Sequence, residues 1–171
     1  MPIASKIEQF LSTKHIQFNI LHHPHTNSAY DTACTSHVPS IQVAKAVLLK
    51  DDEGYYTVAI IPAENKLMMR WVDKETGKKF RFASEEEVFQ VFPDCDPGAI
   101  PPLAEPYHVS TVWDDQLASQ DQVYLEGGSH EDLIHITQDT FQQLMEKLPH
   151  SVISADSYQF SPYHGDDLRS F

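Results

Sequence analysis

The sequence predicts an α+β domain in which helices flank a mixed, partly closed, barrel-like β-sheet. Three observations lead there. Apolar residues switch repeatedly between helical spacing and strand alternation along the 171-residue chain. The strands fall in groups with helices between them, which disfavours a regular doubly wound sheet. Hydrophobic residues make up 41% and charged residues 22%, a globular composition that excludes a disordered or fibrous chain. A chain of this length holds one domain, and such domains bury about two-thirds of their unfolded surface.

Ile3, Ile7, Phe10 and Leu11 form one apolar stripe and predict a short amphipathic helix. Ile16, Phe18 and Ile20 alternate, so a strand follows and closes at His22-His23-Pro24-His25, where proline halts it. Ser28-Ala29-Tyr30-Asp31 has capping-box-like spacing and opens a helix that reaches His37-Val38-Pro39. Residues 43–49 and 55–61 are β-prone runs joined by Asp51-Asp52-Glu53-Gly54, the pattern of a hairpin. Leu67, Met68, Trp71 and Val72 predict the apolar side of a helix ended by Gly77, with Lys66, Arg70 and Lys74 on its other side. Phe80 and Phe82 mark a strand, and Ser84-Glu85-Glu86-Glu87 caps a helix carrying Val88, Phe89, Val91 and Phe92. Residues 94–102, rich in Pro and Gly, form a loop of fixed shape. Strands are expected around Val109-Thr111-Trp113, Val123-Tyr124-Leu125 and Leu133-Ile134-His135-Ile136, and a last helix over 138–148 buries Phe141, Leu144, Met145 and Leu148.

The domain is expected to span residues 1–149, with 150–171 as a C-terminal tail lying on the surface or moving freely. No apolar run approaches the roughly 20 residues that span a bilayer, and the first residues lack a secretory signal, so a cytoplasmic protein with no membrane partner is expected. Cys34 and Cys95 are far apart and outside any CxxC arrangement, which suggests neither a disulfide framework nor a zinc knuckle.

The formal charge is −13, which speaks against extended contact with nucleic acid. Its distribution is uneven. Eight of the twelve Lys and Arg residues lie between positions 45 and 81 against six acids, so that window is net positive in an anionic chain. Such a face can hold a short nucleic-acid end, although a solvated charged surface is the commoner meaning of a basic cluster.

Four segments, taken in order, resemble the YbaK and prolyl-tRNA synthetase-associated editing family. They are Val43-Ala44-Lys45-Ala46-Val47-Leu48-Leu49-Lys50, Tyr56-Thr57-Val58-Ala59-Ile60-Ile61-Pro62-Ala63, the loop from Asp94 through Gly98 to Leu103, and Leu125-Glu126-Gly127-Gly128-Ser129-His130. The likeness covers about residues 20–145. It implies hydrolysis, in trans, of the ester joining a wrong amino acid to the terminal adenosine of tRNA, with no cofactor. The implied partners are the acceptor end of an aminoacyl-tRNA and an aminoacyl-tRNA synthetase, with no DNA. The expected cargo is a small amino acid such as alanine, serine or a near homologue. Ala104 departs from the pattern, since many members carry Gly after the Pro-Leu pair.

Lys45 interrupts an apolar strand, so its ammonium needs a partner. An edge-strand lysine that discourages aggregation is the plainer explanation. The family pattern reverses that order and implies an anchor for the tRNA end or the scissile carbonyl. Nothing adjacent in sequence lowers its pKa, which favours an electrostatic anchor over a base or nucleophile. Gly98, Ala99 and Ile100 can offer backbone N–H groups to a developing oxyanion, with Pro101 fixing the loop, against the alternative of an ordinary turn. Gly127, Gly128 and Ser129 are expected to let backbone approach the adenosine, and His130 to contact it or orient a water. Tyr30 is a candidate wall of the amino-acid pocket, and Lys66, Arg70 and Lys74 are candidate contacts to the acceptor stem. No carboxylate stands out as a general base. His22, His23 and His25 lack a fourth ligand at recognised spacing, so no metal site is expected. The competing function is a noncatalytic nucleotide- or protein-binding module on the same fold.

Overall fold

A computed structural model describes residues 3–156. Helix α1 (Ser5–Thr13) leads to β1 (Asn19–His22) and α2 (Ala29–Ser36). The hairpin of β2 (Val43–Asp51) and β3 (Tyr56–Pro62) follows, then β4 (Asn65–Leu67), α3 (Met69–Thr76), β5 (Phe80–Phe82) and α4 (Glu85–Val91). Beyond the Pro-rich loop come β6 (Ser110–Asp114), β7 (Gln122–Glu126), β8 (Asp132–Thr137), α5 (Gln138–Met145), β9 (His150–Ser151) and β10 (Ser154–Asp156).

Local chemistry sets several of these boundaries. Ser84 and Glu87 form the reciprocal capping box that starts α4, and the Ser28 hydroxyl accepts the Asp31 N–H at the start of α2. Gly77, at φ 71°, ends α3 in the left-handed conformation that other residues resist. In the β2–β3 turn the Asp51 carboxylate accepts N–H bonds from Glu53 at 2.9 Å and Tyr55 at 3.0 Å.

The main sheet runs β1-β8-β7-β2-β3-β6-β9, with β5 also paired to β2. Pairing is antiparallel except at β2–β7, β3–β6 and β6–β9, so the expected mixed sheet with flanking helices is present. It is not closed into a barrel: β1 and β9 end the path as separate edges.

The two sheet faces differ. One carries a continuous core in which Ile7, Leu11, Val58, Ile60, Trp113, Leu125, Phe141 and Met145 pack beneath α1 and α5. The other carries two separate clusters. One joins Leu49, Ala59, Ile61, Met69, Val72 and Ile153 beneath α3, and the other joins Val43, Leu133, Ala29 and Ala33 beneath α2. No helix among the described residues is long and apolar enough to cross a membrane.

Two expectations shift. Residues 150–156 are part of the packed structure: β9 pairs with β6, β10 pairs with β4, and Ile153 is fully buried. The buried Asp114 carboxylate holds this segment by accepting from the Ile153 N–H and the Ser154 hydroxyl. The rest of the expected tail, 157–171, lies outside the described residues. Pairing with β10 also draws Leu67 and Lys66 into β4, so α3 begins at Met69 and Trp71 is 39% exposed. Lys66 therefore does not share a helix face with Arg70 and Lys74.

Candidate functional site

One edge of β2 is shared by two strands. Pairing with the parallel β7 covers Val43 and Ala44 and stops there, while pairing with β5 begins at Leu49, whose partner is Phe82. The Leu48 carbonyl takes the Ala83 N–H at 3.0 Å on this edge. Alternation along the strand points the Ala46 N–H and carbonyl the same way, into a stretch with no partner strand. The sheet thus opens beside Lys45.

Lys45 lies on the face that carries the two separate clusters, since Val43 before it packs under α2 and Leu49 beyond it packs under α3. It occupies the strip between them and is partly buried. Its ammonium makes no hydrogen bond or ion pair among the described residues. Burial lowers its pKa, Lys66 pushes the same way, and Glu126 opposes both. The expectation that nothing lowers this pKa is thereby corrected: the cause is the fold around the strand rather than its sequence neighbours.

Glu126 was not singled out by the sequence. In the parallel register Val43 faces Tyr124 and Ala44 faces Leu125, so Lys45 and Glu126 occupy matching positions on the same face. Burial pushes the Glu126 carboxyl up to about 7, against the pull of Lys45. An acid ending an apolar strand beside two glycines was the available signal, but the register that gives it meaning joins segments far apart in sequence.

From Glu126 the chain turns toward the Pro-rich loop. The Gly128 carbonyl accepts the Asp96 N–H at 2.8 Å, and the His130 Nε2–H donates to the Pro97 carbonyl at 2.6 Å. The His130 ring also lies 5.0 Å from that of His25, and a Cβ at Gly98 would sit 3.9 Å from His130 Cε1. The turn thus links Lys45's neighbour at one end to the loop at the other. A cavity of about 250 Å³ lies between α4 and this loop, with Ala83, Val88, Phe92, Gly98 and Ile100 among its walls.

The individual loop residues separate. Gly98 is at φ 81°, and neither its N–H nor that of Ile100 has an acceptor among the described residues. The Ala99 N–H is already donated to the Asp96 carbonyl at 3.0 Å and its side chain is buried. Pro101 is buried. Ala104 adopts a right-handed conformation that any residue accepts, so its departure from Gly costs no strain.

Gly127 and Gly128 have a packing cause. A Cβ at Gly127 would come within 2.6 Å of Ile3 Cγ2, and one at Gly128 within 2.8 Å of Ala4 Cβ and 2.9 Å of Cys95 Sγ. The space their side chains would need is filled by the protein itself. The Ser129 hydroxyl donates to Asp132 at 2.7 Å, and His22 pairs with the other oxygen of that carboxylate. Cys95 is no ready nucleophile, because burial pushes its thiol up to about 12. Tyr30 is 53% exposed on α2, and its pKa is raised chiefly by Cys34 one turn along.

Part of the basic window is neutralised within the protein. Lys50 and Arg81 pair with Glu87, and Lys78 with Asp51. Lys66, Lys74 and Lys79 are exposed, with no ion pair among the described residues. Arg70 is exposed on α3.

Comparison with known proteins bears on this arrangement. The sequence model of the aminoacyl-tRNA editing domain matches residues 23–144. No curated protein matches the sequence. Among solved structures, the hypothetical protein APE2540 superposes with a TM-score of 0.78 at 22% identity, over 88% of this chain and 100% of that one. A candidate trans-editing enzyme for prolyl tRNA synthetase gives 0.78 at 19% identity, over 91% of this chain and 98% of that one. A protein from Marinobacter aquaeolei VT8 assigned to signal transduction gives 0.73 at 20% identity, with 91% of this chain covering 32% of that one.

Proposed function

Because the chain belongs to the aminoacyl-tRNA editing domain family, we propose that it is a trans-editing deacylase that hydrolyses tRNA mischarged with a small amino acid such as alanine, serine or a near homologue. The observation that carries this reading is the partly buried Lys45 ammonium, without a partner of its own, beside an opening in the sheet.

In this mechanism Lys45 anchors the 3′ end of the tRNA through its terminal phosphate. The free N–H groups of Gly98 and Ile100 receive the ester carbonyl oxygen as it gains negative charge, and Ala99 shapes the turn rather than donating. A water oxygen bonds to the carbonyl carbon and the bond to the ribose oxygen breaks. The water's proton ends on that ribose oxygen, releasing free amino acid and uncharged tRNA. Rate enhancement comes from positioning and fixed dipoles. His130, held on the Pro97 carbonyl, fixes the loop and the turn together. The cavity beside Gly98 has room for a small side chain. A second, size-limited site of this kind serves synthetases because one methylene separates competing amino acids by only about 1–3 kcal/mol. The cytoplasm and an aminoacyl-tRNA synthetase partner belong to the same proposal.

The test is a panel of mischarged tRNAs presented to the purified protein. Hydrolysis of those carrying small amino acids is expected, with a loss of roughly 100- to 1000-fold in Lys45→Ala. No hydrolysis of any panel member would sink the proposal.

A further inference from the structure

Glu126 takes no part in the mechanism above, yet it is placed like a group kept for a ligand. It ends β7 one residue beyond the last β2–β7 pair, on the face it shares with Lys45. Lys45 stands one residue beyond the same pair on β2, and the two groups are near enough to act on each other electrostatically. Its carboxylate has no hydrogen bond or ion pair among the described residues, and its oxygens are not sealed from solvent. A carboxylate in such surroundings is disfavoured until a cation reaches it.

The site therefore offers a cation and an anion next to each other, neither neutralised by a close contact. The end of an aminoacyl-tRNA has the opposite pattern, with a phosphate a short reach from the α-ammonium group of the amino acid. With Lys45 assigned to the phosphate, the complementary position for the ammonium is Glu126. We propose that Glu126 is a specificity residue that binds the α-ammonium group of the aminoacyl moiety and so rejects tRNA whose amino group is acylated, peptidyl-tRNA included. This rests on the deacylase reading, and it adds a chemical reason why a hydrolase of aminoacyl esters spares chains under elongation.

The experiment uses acceptor-stem minihelices carrying alanine through a hydrolysis-resistant 3′-amide, with the amino group free or acetylated. Binding is measured for the full-length wild type, Glu126→Gln and Glu126→Asp, each checked for folding by thermal denaturation. The wild type is expected to prefer the free amine by roughly 10- to 100-fold, as a charge-assisted contact does. Glu126→Gln should lose that preference by weakening only the free-amine complex, and Glu126→Asp should keep it at lower affinity. Equal binding of the two analogues by the wild type overturns the inference and leaves the deacylase reading intact. So does a preference that survives in Glu126→Gln, or an equal loss of both complexes. A wild type that binds neither analogue and hydrolyses no member of the mischarged-tRNA panel refutes the deacylase reading together with the inference.

Discussion

The two faces of the sheet differ in continuity. On one, apolar side chains run unbroken from Ile7 and Leu11 through Val58, Ile60 and Trp113 to Phe141. On the other, the clusters beneath α2 and α3 are separate, and the strip between them holds Lys45 and Glu126. A continuous face removes the most apolar area from water and carries the stability. An interrupted face can keep charged groups half out of water, where they interact strongly without being buried outright. Substitutions on the first face, away from the cavity that Phe92 and Ile100 help to line, therefore change stability and leave the chemistry of folded molecules alone.

The largest effect is expected on the continuous face. Trp113 is 1% exposed, donates its indole N–H to the Met145 carbonyl at 2.9 Å and packs edge-on against Phe141 at 5.2 Å. Trp113→Ala should cost about 3–5 kcal/mol in urea unfolding, since it leaves a large cavity and removes a buried hydrogen bond. Deacylation per folded molecule should stay near wild type. A selective loss of turnover at unchanged stability would erase the distinction between the faces.

On the interrupted face the expected effect is smaller and depends on pH. The Glu126 carboxyl titrates at about 7 in the folded protein, against 4.5 for an ordinary glutamate. The folded state thus holds this proton more tightly than the unfolded chain. The resulting stabilisation is complete below pH 4.5 and is lost as pH rises through about 7. Glu126→Gln removes the titration, so its stability relative to wild type should rise by about 1–3 kcal/mol between pH 4.5 and 8. Denaturant midpoints at both pH values measure it, and a difference that does not change with pH would show that the carboxyl is not held in an unfavourable site.

The same contrast explains what could be read in advance. The β2–β3 hairpin and the Ser84–Glu87 cap are local, set by residues within a few positions of one another, and both are legible in the sequence. Lys45 is legible because it interrupts an apolar run. Contacts that join distant segments are not. The neighbour of Lys45 is fixed by a two-residue parallel register, and Gly127 and Gly128 are required by Ile3, Ala4 and Cys95. Residues 150–156 form strands too short to show a period, and their placement depends on Asp114 and on edges offered by β4 and β6. The basic window loses part of its charge to Glu87, an acid beyond its end. Sequence pattern therefore reports the elements, whereas the site is a property of how two of them diverge.

The smallest effect is expected at the rim of the interrupted face. Lys74, in the last turn of α3, is exposed and has no ion pair among the described residues, whereas Lys66 also acts on the Lys45 ammonium. Lys74→Glu is therefore the cleaner probe of acceptor-stem contact. A single exposed contact to phosphate contributes little and is screened by salt, so KM for mischarged tRNA should rise about 2- to 5-fold at low ionic strength. The salt dependence of KM should flatten, because one fewer counterion is released on binding. Hydrolysis of an aminoacyl-adenosine, which has no stem, should be unchanged. If both substrates suffer equally, Lys74 acts on the site through the fold rather than through contact with the stem.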